Sequence, residues 1–344
     1  MAERVLTRRE LNRATLARQL LLRRERLPVA RAVERLCAMQ AQYSLSPYIG
    51  LWTRLEGFER QQLTRALERR RVVKATLFRL TLHLVSARDY LGFAGLWFPA
   101  QRTQFSADLD AATIERLASH VAAMARERRV THDELHELAR PDFGDRLWRV
   151  RALTPLVHVP PSGTWKHHGR AELIGAETWL GRPPTDAATG AELLVRRYLA
   201  AFGPAARDDL LKFSNLRVRD LQPGLDALGP KLRRFRDEQE RLLLDLASAP
   251  RPTADTPAPV RFLPKWDSII LAYADRTRVL PTEYRDTVIR KNGDVLPTFL
   301  VHGVVAGAWR EEKGRVLLEP FAPLPRAARR ELEDEAARLA AFHQ

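Results

Sequence analysis

The chain has 344 residues, too many for one small core, and at roughly 100–200 residues per domain it calls for two or three packed units. Lys and Arg number 57 against 42 Asp and Glu, a formal charge of +15 carried almost wholly by arginine, whose planar fork suits phosphate and base edges; a high-GC coding sequence also enriches Arg and Ala. Cys37 is the only cysteine, which excludes an internal disulfide and a Cys-based zinc site, and no run of about 18 apolar residues or signal-peptide core appears, so a cytoplasmic protein is expected.

From Thr7 to Glu34 apolar residues such as Leu11, Leu16, Leu20 and Val33 recur at helical spacing with arginines on the other face, and Pro28 suits the start of a second helix. A short helix over 47–55 and an amphipathic one over 58–69 follow, before "VVKATLFRLTLHLVS" alternates like a hairpin. Helices followed by a two-stranded ribbon describe a winged helix. The pattern recurs with a helix over 113–127, a Thr131 cap with Glu134 as its capping-box partner, a helix in "DRLWRVRALTPLV", and strand, turn and strand in "LVHVPPSGTWKHHG". A third copy starts at Ala191, is closed by Gly203, and runs through "AARDDLLKFSN" and "RVRDLQPGLDAL" to "LRRFRDEQERLLLDL".

After the Pro-rich "ASAPRPTADTPAPV", residues 260–322 turn β-rich, with turns at Asn292-Gly293, His302-Gly303 and Lys313-Gly314, and a last helix from Arg326 to Phe342 docks on that sheet. The expected class is therefore α+β. Its units are winged helices over 1–105, 106–188 and 189–250, with linkers near 100–112 and 181–190, and a C-terminal antiparallel sheet with its helix over 258–344.

"LNRATLARQLLLRRERLPVARAVERLCAMQAQYSLSPYIGLWTRLEGF", "LFRLTLHLVSARDY", "FLPKWDSIILAYADR" and "VHGVVAGAWR" together resemble the winged-helix DNA glycosylases of the AlkZ and YcaQ type, over nearly the whole chain and in order. Gln40-Ala41-Gln42 is similar to the Gln, apolar, Gln motif of the AlkZ branch; the YcaQ branch carries Asp at the last position. The resemblance implies a monofunctional glycosylase, without a lyase step, that excises N7-alkylated purines, including bulky adducts and interstrand crosslinks. It needs no cofactor or metal, acts on double-stranded DNA in the bacterial nucleoid, and works as a monomer. Self-resistance to an alkylating natural product and housekeeping repair are both open.

Alkylation at N7 makes the purine cationic and a good leaving group, so little acid catalysis is required. What remains is to hold a water under C1′ as oxocarbenium character develops. An amide offers an acceptor and two donors, and Gln40 and Gln42 can share one water only where the chain leaves regular helix, which Pro47 and the serines of "QYSLSPY" permit.

The other candidates are DNA contacts. His83 on the first ribbon is either a buried strand histidine or a site residue, and Lys74 and Arg79 on the same ribbon can reach phosphate. "WKHHGR" places Lys166, His167 and His168 at a wing tip, and the Asn292-Gly293 hairpin presents Arg290 and Lys291 as a groove probe. Asp267 and Asp275 are the carboxylates nearest a family-like segment. No Walker loop, GxGxxG, HExxH or GxSxG is present. The competing class is a non-enzymatic winged-helix DNA-binding regulator or drug-binding resistance protein.

Overall fold

The computed structural model describes residues 3–167 and 169–344. Helices alternate with four small sheets. The N-terminal unit holds β1 (Val5–Leu6), α1 (Arg8–Arg18), α2 (Val29–Arg35), β2 (Met39–Gln40), α3 (Leu45–Trp52), α4 (Arg60–Glu68), β3 (Val72–Leu77), β4 (Thr81–Ser86) and α5 (Ala87–Phe105). The second holds α6 (Ala111–Glu127), β5 (Val130–Thr131), α7 (His132–Phe143), a 3-10 segment (Gly144–Ala152), β6 (Leu156–His158), β7 (Glu172–Gly175) and α8 (Ala176–Leu180). The third holds α9 (Ala187–Phe202), α10 (Arg207–Ser214), α11 (Val218–Leu228), β8 (Leu232–Asp237) and β9 (Leu242–Leu246). The C-terminal part holds β10 (Arg261–Leu263), α12 (Ser268–Leu271), α13 (Arg285–Val288), β11 (Thr298–Val301), β12 (Val304–Glu312), β13 (Arg315–Pro320) and α14 (Arg326–His343).

Local chemistry accounts for many of these boundaries. Thr7 with Glu10, and Thr131 with Glu134, close reciprocal capping boxes at the starts of α1 and α7. His302 and Gly303 at φ 51° and 87°, and Lys313 and Gly314 at 51° and 77°, supply the left-handed pairs that tight two-residue hairpins demand. The resulting sheet runs β10-β11-β12-β13, and α14 lays Leu332 and Leu339 against Phe262, Phe299 and Trp309.

The other sheets have three strands each, ordered β1-β8-β9, β2-β4-β3 and β5-β7-β6. Several expectations are corrected here. β1 pairs in parallel with β8, so the first residues complete the third unit's sheet and the division at 105 cuts through one structural element. α5 occupies much of the expected first linker, because Tyr90, Phe93, Trp97 and Phe98 are buried against neighbours on several sides. α9 starts at Ala187 rather than Ala191, and Gly203 ends it in extended backbone (φ −68°) without a left-handed cap. The third helix of the second unit is 3-10, and its return strand is β7, beyond the "WKHHG" segment. One apolar core runs from Cys37 to Tyr273, so the units share an interior.

Candidate functional site

The question at Gln40 and Gln42 is which backbone carries them. Gln40 ends β2, paired with His83 of β4, which in turn pairs with Ala75 of β3, so the three form one row across the sheet. Neither glutamine is in a helix, which removes the helical objection to a concerted pair. Gln40 is buried and Gln42 is exposed on the following bend. Gln40 Oε1 accepts from Arg79 Nη2 at 3.2 Å, and Gln42 Oε1 accepts from the Leu82 amide at 3.2 Å. Both amides are thus held by the stretch 79–82, and each oxygen keeps a second lone pair.

The backbone around this point is strained. Cys37 and Ala38 (φ 55° and 82°) precede β2, Arg79 and Leu80 (φ 54° and 60°) join β3 to β4, and Trp266 lies at φ 56°. Non-glycine residues in the left-handed region cost about 1–2 kcal/mol each and gather where surrounding structure fixes a functional geometry. Ala38, Gln40 and Trp266 wall a cavity of about 10 Å³ together with Gln19, Arg54 and Asp267, near the size of one water and far too small for a purine. Trp266 Nε1 donates to the Gly293 carbonyl at 3.0 Å, tying this wall to the turn that carries Arg290 and Lys291, both exposed.

Asp267 is spoken for. Its two oxygens accept from Arg54 Nη1 and Nη2 at 2.9 Å each, and Oδ1 also caps the Ile269 amide at 3.1 Å. Asp275 accepts from Arg241 at 2.9 Å and is held below the usual carboxylate range, burial opposing and the Thr277 amide and Arg241 winning. Sequence reasoning missed Arg54, Trp266 and Tyr43; Tyr43 is a 41 % exposed ring beside Gln42, and its adjacency to the motif was the signal available.

The expected DNA contacts fare unequally. Arg79 is half-buried, with Nη1 on the Phe213 carbonyl at 2.6 Å and its guanidinium over the Phe213 ring, so it positions Gln40 and is not a free phosphate contact. Burial, then the Arg276 charge, pull it down to about 10. Lys74 is buried, not displayed on a ribbon, because the segment after β6 packs over it. The "WKHHGR" wing tip is also corrected: Trp165 packs edge-on against Tyr48 and Phe342, with ring centroids 5.3 and 5.5 Å away. That leaves Lys166 exposed and His167 half-buried beside an internal junction. His168 lies outside the described residues.

His83 is fully buried. Its Nδ1–H donates to the Thr81 carbonyl at 3.0 Å, which fixes the tautomer and leaves Nε2 an acceptor without a partner. Burial, then Arg79, hold its pKa down to about 3, and burial first holds His132 at about 4. Both folded values lie below the unfolded value of about 6.5, so the stability they contribute is intact above that pH and lost as pH falls through the window to the folded values. The urea midpoint is expected to drop between pH 6.5 and 4, less steeply in His83→Phe; a flat wild-type profile would contradict this. Among the described residues no three His, Cys, Asp or Glu are placed to hold a metal ion, and no helix is long and apolar enough to cross a membrane.

A strained strand end thus holds two fixed amides, of which Gln40 walls a water-sized cavity, in an arginine-rich chain. The AlkZ-like DNA glycosylase model matches residues 33–342, and the chain belongs to that family. An interstrand DNA cross-link repair glycosylase of Streptomyces sahachiroi is 26% identical over 94% of this chain and 93% of its own. The solved structure of the Streptomyces sahachiroi DNA glycosylase AlkZ superposes with a TM-score of 0.82 at 20% identity, covering 98% of this chain and 97% of that one.

Proposed function

We propose that this enzyme, a glycosylase cleaving N-glycosyl bonds in DNA, hydrolyses those of N7-alkylated purines, including bulky adducts and interstrand crosslinks. The observation that carries the reading is the pair Gln40 and Gln42, each pinned by its oxygen to the stretch 79–82 with acceptor and donor capacity to spare. A water bound there attacks C1′ as the cationic purine leaves; the purine departs with the bonding electrons, losing its charge, and the surplus proton of the attacking water passes to solvent. The reading is monofunctional, without a lyase step and without cofactor. The small sheets, each with preceding helices, are read as degenerate winged-helix repeats on double-stranded DNA, the protein acting as a monomer on the nucleoid in the cytoplasm. The narrow cavity suits a base that is not enclosed, as a crosslinked purine tethered to the other strand requires.

Incubating the protein with duplex carrying N7-methylguanine and then heating in alkali tests this: strand breaks at the lesion are expected, none in undamaged duplex. Tight preference for one undamaged sequence without breaks would instead mark a regulator. Arginine-dominated phosphate contact also predicts a log–log fall of affinity with salt, with slope about −0.9 per phosphate neutralised. A flat titration would remove that reading of the +15 charge.

A further inference from the structure

Lys74 sits one residue before Ala75, so its side chain leaves the β2-β4-β3 sheet on the face opposite Gln40 and His83. It is only 8% exposed, and among the described residues its ammonium has no hydrogen-bond or ion-pair partner. Around it stand His132 and His136, one turn apart on α7, with ring centroids 6.3 Å apart, and His158 at the end of β6, its ring 5.7 Å from that of His132. Arg151 approaches from the 3-10 segment, and Ser162 Oγ lies 2.8 Å from His158 Nδ1. His132 Nδ1, His136 Nε2 and Arg151 Nε are buried without a partner. The carboxylate nearby, Asp133, is exposed and pairs with Arg170 at 3.1 Å.

Two cations therefore converge on several imidazole nitrogens with no carboxylate among them. A cation drawn largely out of water without a counter-charge is costly, and an anion bound between Lys74 and Arg151 would supply that counter-charge. Lys74 and Arg151 tell against a metal cation at the histidines. We propose that Lys74, Arg151, His132, His136 and His158 form a binding site for a phosphate-class oxyanion, distinct from the Gln40 site. Lys and Arg neutralise the anion, while the imidazole N–H groups and Ser162 order its oxygens. Burial, then Lys74, His132 and Arg151, hold His158 well below its ordinary range; a bound anion adds negative charge and raises the imidazole pKa values back toward that range.

The test is titration of inorganic phosphate into the full chain at constant ionic strength, read by imidazole ¹H–¹⁵N resonances and thermal unfolding. A saturable shift of His132, His136 and His158 is expected, with Tm raised by about 2 °C or more at saturation. Lys74→Met should abolish both and, by removing an unpaired buried charge, unfold at a higher temperature than wild type in phosphate-free buffer; Lys74→Arg should restore the shift. Arg151→Gln serves if Lys74→Met does not fold. A short undamaged duplex at low salt that moves the same resonances and competes with phosphate identifies the DNA backbone as the source; one that does not identifies a free anion, and either supports the site. Absence of a saturable shift with both ligands, or a shift surviving in a folded Lys74→Met, overturns it.

Discussion

Gln40→Ala is expected to lower single-turnover excision of N7-methylguanine by roughly 10²-fold, the scale on which losing an oriented reactant is felt. Gln42→Ala should cost somewhat less, because its amide is exposed and its anchor is a single backbone donor. The double variant should be little worse than Gln40→Ala, since groups that hold one water act as a unit and their effects do not add. Stability should change by only about 1 kcal/mol, the worth of one hydrogen bond, here that from Arg79. Wild type and all three variants cutting within a factor of about two would show that the pair is not catalytic. The physical basis of the proposed reading is the leaving group: a purine already carrying positive charge departs with little acid assistance, which would leave placement of solvent as the main task of the protein.

Asp267→Ala is expected to lower the unfolding free energy by about 3–5 kcal/mol, because it strands the Arg54 guanidinium in a nearly dry site. Arg54 also donates to the Gln19 and Gly50 carbonyls at 3.0 Å, so its position is not free to relax toward water. This substitution also decides a rival mechanism, since Asp267 walls the same cavity as Gln40 and is the carboxylate best placed to hold the nucleophile instead. Its charge is neutralised by the bidentate Arg54 contact, and the proposed reading gives the water-holding role to the amides. Asp267→Asn, assayed well below its unfolding temperature, should keep excision within about an order of magnitude of wild type. A folded Asp267→Asn with excision reduced as far as in Gln40→Ala would transfer the role to the carboxylate.

What could be read in the sequence was local. Thr131 with Glu134, Pro28 before α2 and the His302-Gly303 and Lys313-Gly314 turns act through neighbours a few residues away, and each marks an element boundary in the structure. The motif itself was legible as a pair of amides, through family likeness. Its backbone was not: β2 is two residues long and exists only because β4, more than 40 residues later, supplies the ladder. α5 escaped because a helix buried on several sides has no apolar stripe, and Pro99 lies inside it. Strand alternation put Lys74 on one face of the ribbon but gave no sign of what covers that face; its burial depends on a segment some 90 residues away. Arg54 with Asp267, 213 residues apart, had no local trace at all.

The parallel seam between β1 and β8 has a bearing on how such enzymes can diversify. With the chain's first strand sewn into its third sheet, and Arg54 locked to the segment before α12, the amide pair hangs on pieces drawn from three places in the sequence. A chimera that exchanges residues up to 105 as a cassette between relatives would tear that seam and mismatch that lock together. Shuffling should succeed only when the opening strand travels with its distant partner, so new lesion preferences in this lineage are best sought in exposed side chains such as Tyr43, Arg290 and Lys291 rather than in swapped units.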